Sequence, residues 1–198
     1  MITNSILAGA LIGIGDIALM SCENKYIGAL LFAVALMSII YFQLPLFTGR
    51  VGRVVRDRSY LYCFFVLFFN VIGTALSVWG YTLMSPENRQ KVIAVADQKF
   101  GRGLVALFIA GVFCNVLIHL AVSSKHSILV VLCVMTFILC GFEHSIADAG
   151  YAFVSGDWRN MLTWLIVVAG NTVGAILTFY FLHEEEEEEE VEDGESGE

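Results

Sequence analysis

Six stretches of this sequence, at 6–21, 26–44, 60–84, 103–122, 128–142 and 161–182, are apolar along almost their whole length. A helix needs ~20 apolar residues to cross a bilayer, and backbone in hydrocarbon must satisfy its own hydrogen bonds. The chain's two prolines, Pro45 and Pro86, both stand at ends of these runs, so helix is the spanning element the sequence can supply. Six crossings use most of the 198 residues and leave short loops. Composition agrees, with 58% hydrophobic and 15% charged residues, where soluble domains average ~45–50% and ~25%. An ordinary soluble domain and a large extramembrane domain are both excluded. The expected architecture is an all-α membrane protein with six transmembrane helices.

The net charge of −8 conceals two unlike parts. Residues 184–198 hold eleven of the nineteen acidic residues, which leaves residues 1–183 at +3. The sequence divides into a mildly basic six-helix domain, 1–183, and an acidic tail, 184–198, too poor in apolar residues to fold. The five cysteines, irregularly spaced, make neither a disulfide framework nor a metal-binding pair, and no cofactor or metal is expected. The first run lacks a positively charged leader and reads as a permanent helix. An enzyme would need a nucleophile–base pair or clustered metal ligands, and a signalling protein a larger output domain. Neither is expected, nor is a nucleic-acid partner.

Two segments interrupt the pattern. After the second run, Pro45 leads into a short stretch carrying Arg50, Arg53, Arg56 and Arg58, too short and too basic to cross. The fifth run meets a segment from Gly141 to Asp148 that carries Glu143, His144 and Asp148. Each reads as a helix that stops partway into the membrane, turns and resumes, which is tolerated where the backbone lines a cavity or is buried in protein. There is also a faint internal repeat. Asn70-Val71-Ile72-Gly73 in the third run echoes Asn171-Thr172-Val173-Gly174 in the sixth. Broken second and fifth helices in a 3+3 inverted repeat are the pattern of a transporter or channel, and an even number of crossings puts both ends on one side. The loops on the two sides carry five and six basic residues, Lys125 among the five. The tight arginine cluster favours termini in the cytoplasm.

In these segments the sequence resembles the formate/nitrite transporter family. Leu46-Phe47-Thr48-Gly49 resembles the family's loop between the halves of its second helix, and Gly111-Val112-Phe113-Cys114-Asn115-Val116-Leu117 its fourth-helix motif. Gly141-Phe142-Glu143-His144-Ser145-Ile146-Ala147 is similar to its most diagnostic string, in the broken fifth helix, and Gly170-Asn171-Thr172-Val173-Gly174 to the start of its sixth. The resemblance implies a homopentamer of aquaporin-like protomers in the cell inner or plasma membrane, each with its own pore. The implied cargo is a small monovalent anion or its acid: formate first, with nitrite, hydrosulfide, acetate and lactate in the same class. By motif position Thr48 and His144 are paired midway along the pore, Asn115 and Asn171 are pore asparagines, and Lys99 is the vestibule lysine. Phe32, Leu36 and Phe137 fall where the family builds one apolar constriction; Leu46, Phe47 and Ile118 fall where it builds the other. The chain departs from the family at Pro45, Arg50 and Asp148, and in having only five residues before its first run.

The chemistry expected of these residues follows from solvation. A bare anion loses its hydration in an apolar ring, whereas its neutral acid loses little. A histidine inside a span is a functional residue by default, because its imidazole exchanges protons near neutrality. A cation at the mouth, here Lys99, raises the local anion concentration. The expected device gathers an anion, strips it between apolar rings and holds it at Thr48 and His144, where a relayed proton neutralises it. A neutral-solute channel is a weaker reading, because neither Asn70 nor Asn171 is followed by proline.

Overall fold

In a computed structural model of the protein, residues 1–124 and 126–195 are described, those from 183 onward as backbone alone. Lys125 lies outside the described residues, and the expectation of an unfolded acidic tail falls on residues whose side chains are not described. Every regular element among the described residues is helical. Helices α1 (Ile2–Ser21), α4 (Tyr60–Met84), α6 (Leu104–Ser124) and the Trp158–Leu182 part of α9 (Trp158–Glu195) are each long and apolar enough to span a membrane. The all-α membrane fold expected from the sequence is the fold observed.

The two breaks fall where the sequence placed them. Helix α7 (Ser127–Cys140) ends at Gly141, whose φ of 71° is the left-handed conformation that glycine adopts at low cost. The chain turns and resumes as α8 (Ser145–Val154), bent by 47° from α7. Helix α2 (Lys25–Tyr41) starts on Asn24, whose side chain accepts from the backbone N–H groups of Tyr26 and Ile27. It stops at Phe42, and the chain re-enters helix only in the short α3 (Phe47–Arg50) and a 3-10 turn at Val51–Arg53.

The long helices pack in two pairs, α1 along α4 and α6 along α9. Both contacts depend on glycine. A Cβ on Gly9 would collide with the Asn70 carbonyl, and one on Gly174 with that of Val112. Small residues let helix backbones close together where lipid gives no hydrophobic drive for association. Between the pairs, α2, α3 and α7 contribute Phe32, Leu36, Leu46, Phe47 and Phe137 to one apolar core with Ile118 and Ile146. Large apolar side chains such as Ile14, Phe64, Phe68, Leu76 and Leu162 stay exposed on the outside, a surface suited to lipid or neighbouring subunits.

One element differs from expectation. Residues 86–100, read from the sequence as loop, form a helix, α5 (Pro86–Phe100). Ser85 caps it by accepting from the Asn88 N–H at 3.2 Å, and Pro86 occupies its first turn. A search for apolar spans passes over such a helix because its surface is mostly polar; the Ser-Pro-Glu start was its signal.

Candidate functional site

Two buried asparagines position the site. On α4, Asn70 Oδ1 accepts from the Phe47 N–H at 2.8 Å, while its Nδ2 donates to the carbonyls of Ser5 at 2.7 Å and Pro45 at 3.0 Å. On α9, Asn171 Oδ1 accepts from the Ser145 N–H at 2.8 Å, and Nδ2 donates to Gly111 at 2.8 Å and Glu143 at 2.9 Å. Each amide thus grips the entry of one short helix and ties it to a long one. Backbone groups that leave helix inside an apolar core need such partners. Asn70 joins helices by these bonds, and Asn171 spends its amide in the same way.

The clamps bring α3 and the start of α8 face to face. Thr48 Oγ1 lies 3.0 Å from His144 Nε2, with Thr48 0% and His144 2% exposed, so no water-sized space adjoins the hydroxyl. His144 is also the N-cap of α8, its Nδ1 accepting from the Ala147 N–H at 3.2 Å. A ring nitrogen that accepts carries no proton, so the neutral imidazole holds its hydrogen on Nε2 and donates it to Thr48. The Thr48 hydroxyl hydrogen is left free to donate to a third group. The His144 ring stacks on Phe137, centroids 5.9 Å apart, and Phe137 meets Phe32 edge-on at 6.0 Å.

Asn115 joins this pair. Its Nδ2 donates to the carbonyls of Thr48 at 3.2 Å and Asn171 at 2.8 Å, while its Oδ1 is buried without a partner among the described residues. In the other helix pair, Gly9 stands against the Asn70 carbonyl where Asn115 bonds that of Asn171. The extra amide on one side makes the two contacts unequal and reaches across to α3. Leu36, Leu46, Phe47 and Ile118 are all buried in the same core. Leu46 also borders a cavity of about 940 Å³ with Gly49, Arg50, Arg53 and His119.

Lys99 lies apart from the pair, at the C-terminal end of α5. Its ammonium is 2.5 Å from Glu143 Oε2 and 2.9 Å from Asp148 Oδ1. Arg102 completes the cluster, donating to Glu143 Oε1 at 2.6 Å and to the Gly141 carbonyl at 2.9 Å. Burial alone would lower the Lys99 pKa, but Asp148 and Glu143 hold the ammonium above its ordinary value. The cluster anchors the turn between α7 and α8 to α5. Asp16 is buried on α1.

Sequence reasoning missed three contributors. Arg102 was counted only as a loop charge. Ser145 has a fully buried hydroxyl with no partner beside His144. Trp164 is 6% exposed and donates its indole N–H to the Ser145 carbonyl at 2.6 Å. The spacing of an apolar run does not distinguish a tryptophan facing lipid from one facing a neighbouring carbonyl. Trp79 and Trp158 are exposed, as interfacial residues are.

The family resemblance rested on sequence motifs, and the structure brings two of them together at Thr48 and His144, where two buried asparagines hold them. A family model described as "Formate/nitrite transporter" matches residues 1–184. The chain belongs to the formate/nitrite transporter family. Among curated relatives, the nitrite transporter NirC of Escherichia coli is 26% identical over 73% of this chain. The chain spans 64% of that relative's length. The nitrite transporter NirC of Salmonella typhimurium is 25% identical over 88% of this chain and 78% of its own. Among solved structures, a pentameric formate channel with formate bound superposes with a TM-score of 0.73 at 19% identity, covering 91% of this chain and 95% of that one. An FNT family ion channel gives 0.74 at 22% identity over 91% and 89%. These structures share the fold. With this membership the protein is an integral membrane protein of a transporter family.

Proposed function

We propose that the protein passes small monovalent anions of weak acids, formate and nitrite foremost, through a pore in each protomer of a homopentamer. The single observation that carries the reading is the buried Thr48–His144 hydrogen bond at the meeting of the two broken segments. Curated relatives named nitrite transporters and a structural neighbour titled a formate channel support the cargo class. We place the pore in the cell membrane with both termini cytoplasmic, and read the two helix sets as a 3+3 inverted repeat, supported by the matching bonds of Asn70 and Asn171.

An anion reaching the centre takes the Thr48 hydroxyl hydrogen as its donor, while the free Asn115 Oδ1 accepts from a protonated acid. His144 relays a proton through Nε2 and Thr48, so that a nearly neutral species crosses the rings of Phe32, Leu36 and Phe137 and of Leu46, Phe47 and Ile118. A second proton on the imidazole displaces the Ala147 N–H from Nδ1, so the charged ring is transient and uncaps α8 while it lasts. The test is flux of formate, nitrite, chloride and glycerol in liposomes. Uptake of the two weak-acid anions with chloride and glycerol excluded is expected; equal passage of glycerol would overturn the reading.

A further inference from the structure

The two ends of the proposed pore differ in how their charges are compensated. Near Lys99, the ammonium and the Arg102 guanidinium face the Glu143 and Asp148 carboxylates within 2.5 to 2.9 Å. Both cations at this end are thus engaged by acidic side chains, and Asp16 is a further buried acid of the protein. Around Arg50 the described side chains, which end at Leu182 ahead of the run of glutamates, give a different balance. The cavity of about 940 Å³ there is lined by Arg50 and Arg53 and, among the described residues, by no aspartate or glutamate. Neither guanidinium has an ion pair among the described residues. The carboxylate of this segment, Asp57, sits on Arg56 at 3.2 Å, and Arg56 itself lies over the Phe179 ring at 4.7 Å.

We infer that this vestibule is an anion-binding site, with Arg50 and Arg53 loading a small monovalent anion onto the path to Thr48. The inference rests on the proposed anion passage and assigns its charge-gathering step to the Arg50 end. Three features support it. Gly49, adjacent to Thr48 in sequence, and Leu46 both border the cavity, so the vestibule abuts the central segment. Apolar walls, including Ile39, Ile40, Leu120 and Leu182, concentrate the field of the two guanidiniums into the opening. Guanidinium stays charged at every physiological pH, so the contribution of Arg50 and Arg53 to gathering anions does not depend on proton supply.

The experiment is formate and nitrite flux into liposomes holding the full chain, for wild type, R50Q, R53Q, the double variant, Arg50→Lys and a Lys91→Gln control. Lys91 is exposed on α5 and outside the proposed site. Both arginines are partly exposed and hold no side-chain bond among the described residues, so the variants are expected to fold. At ~20 mM ionic strength the double variant should lose roughly five- to tenfold in flux at low anion concentration, with its maximal rate retained. At ~0.5 M salt, where the Debye length shrinks to a few Å, the difference should fall below about twofold. Arg50→Lys and Lys91→Gln should track wild type. A double variant with wild-type flux and salt dependence would overturn the inference. Wild-type protein that passes neither anion would instead remove the anion reading, and this inference with it.

Discussion

At the scale of single residues, the account turns on polar groups that satisfy one another where water is absent. Thr48→Val removes the hydroxyl and leaves His144 Nε2 without its partner. Stranding a buried donor costs ~1–3 kcal/mol, which thermal unfolding in detergent would show, and flux should fall at least tenfold. Thr48→Ser should retain both. Lys99 is the second case. Lys99→Met leaves Glu143 with Arg102, takes from Asp148 its ion pair, and should destabilise by ~3 kcal/mol. Adding Asp148→Asn, which replaces the buried acid left without that pair, should recover part of that loss in the same unfolding assay. The Asp148 and Glu143 carboxylates keep the Lys99 ammonium charged through the physiological range. A pH dependence of flux therefore has to come from another group.

At the scale of elements, the short helices are placed by the two asparagines more than by their own sequence. Asn171→Leu strands the Ser145 N–H and the Gly111 and Glu143 carbonyls. It should cost ~2–4 kcal/mol and displace His144 from Thr48, with fast amide exchange at the start of α8. Exchange unchanged from wild type would show that α8 holds itself. This level also marks how far the sequence could be read. Apolar runs and ionisable residues within them are local properties, so four spans and both breaks were visible before any coordinates. The partners of Asn70 lie 23, 25 and 65 residues away, and no periodicity carries that information. The site was legible as a set of residues through motif resemblance, but not as a geometry. Lys99 read as a free cation because its two carboxylates approach from the turn before α8 and from α8 itself. Helix α5 was hidden because a polar helix leaves no apolar run.

At the scale of the whole molecule, many large apolar side chains face outward while Thr48, Asn70, Asn115, His144 and Asn171 are buried. The proposed pentamer predicts five copies by native mass spectrometry after gentle detergent extraction, and loss of flux where only monomer remains. Thr48 is 0% exposed, so the proposed passage requires the Phe32–Phe137 contact to open. The most direct test of the central claim is flux of formate and nitrite across a pH series, wild type beside His144→Asn. Asparagine is a good N-cap, so α8 should keep its start while the titrating ring is lost. The account predicts wild-type flux that rises as pH falls and a folded variant in which that dependence is gone. The same pH profile in the variant would contradict passage of a proton through His144.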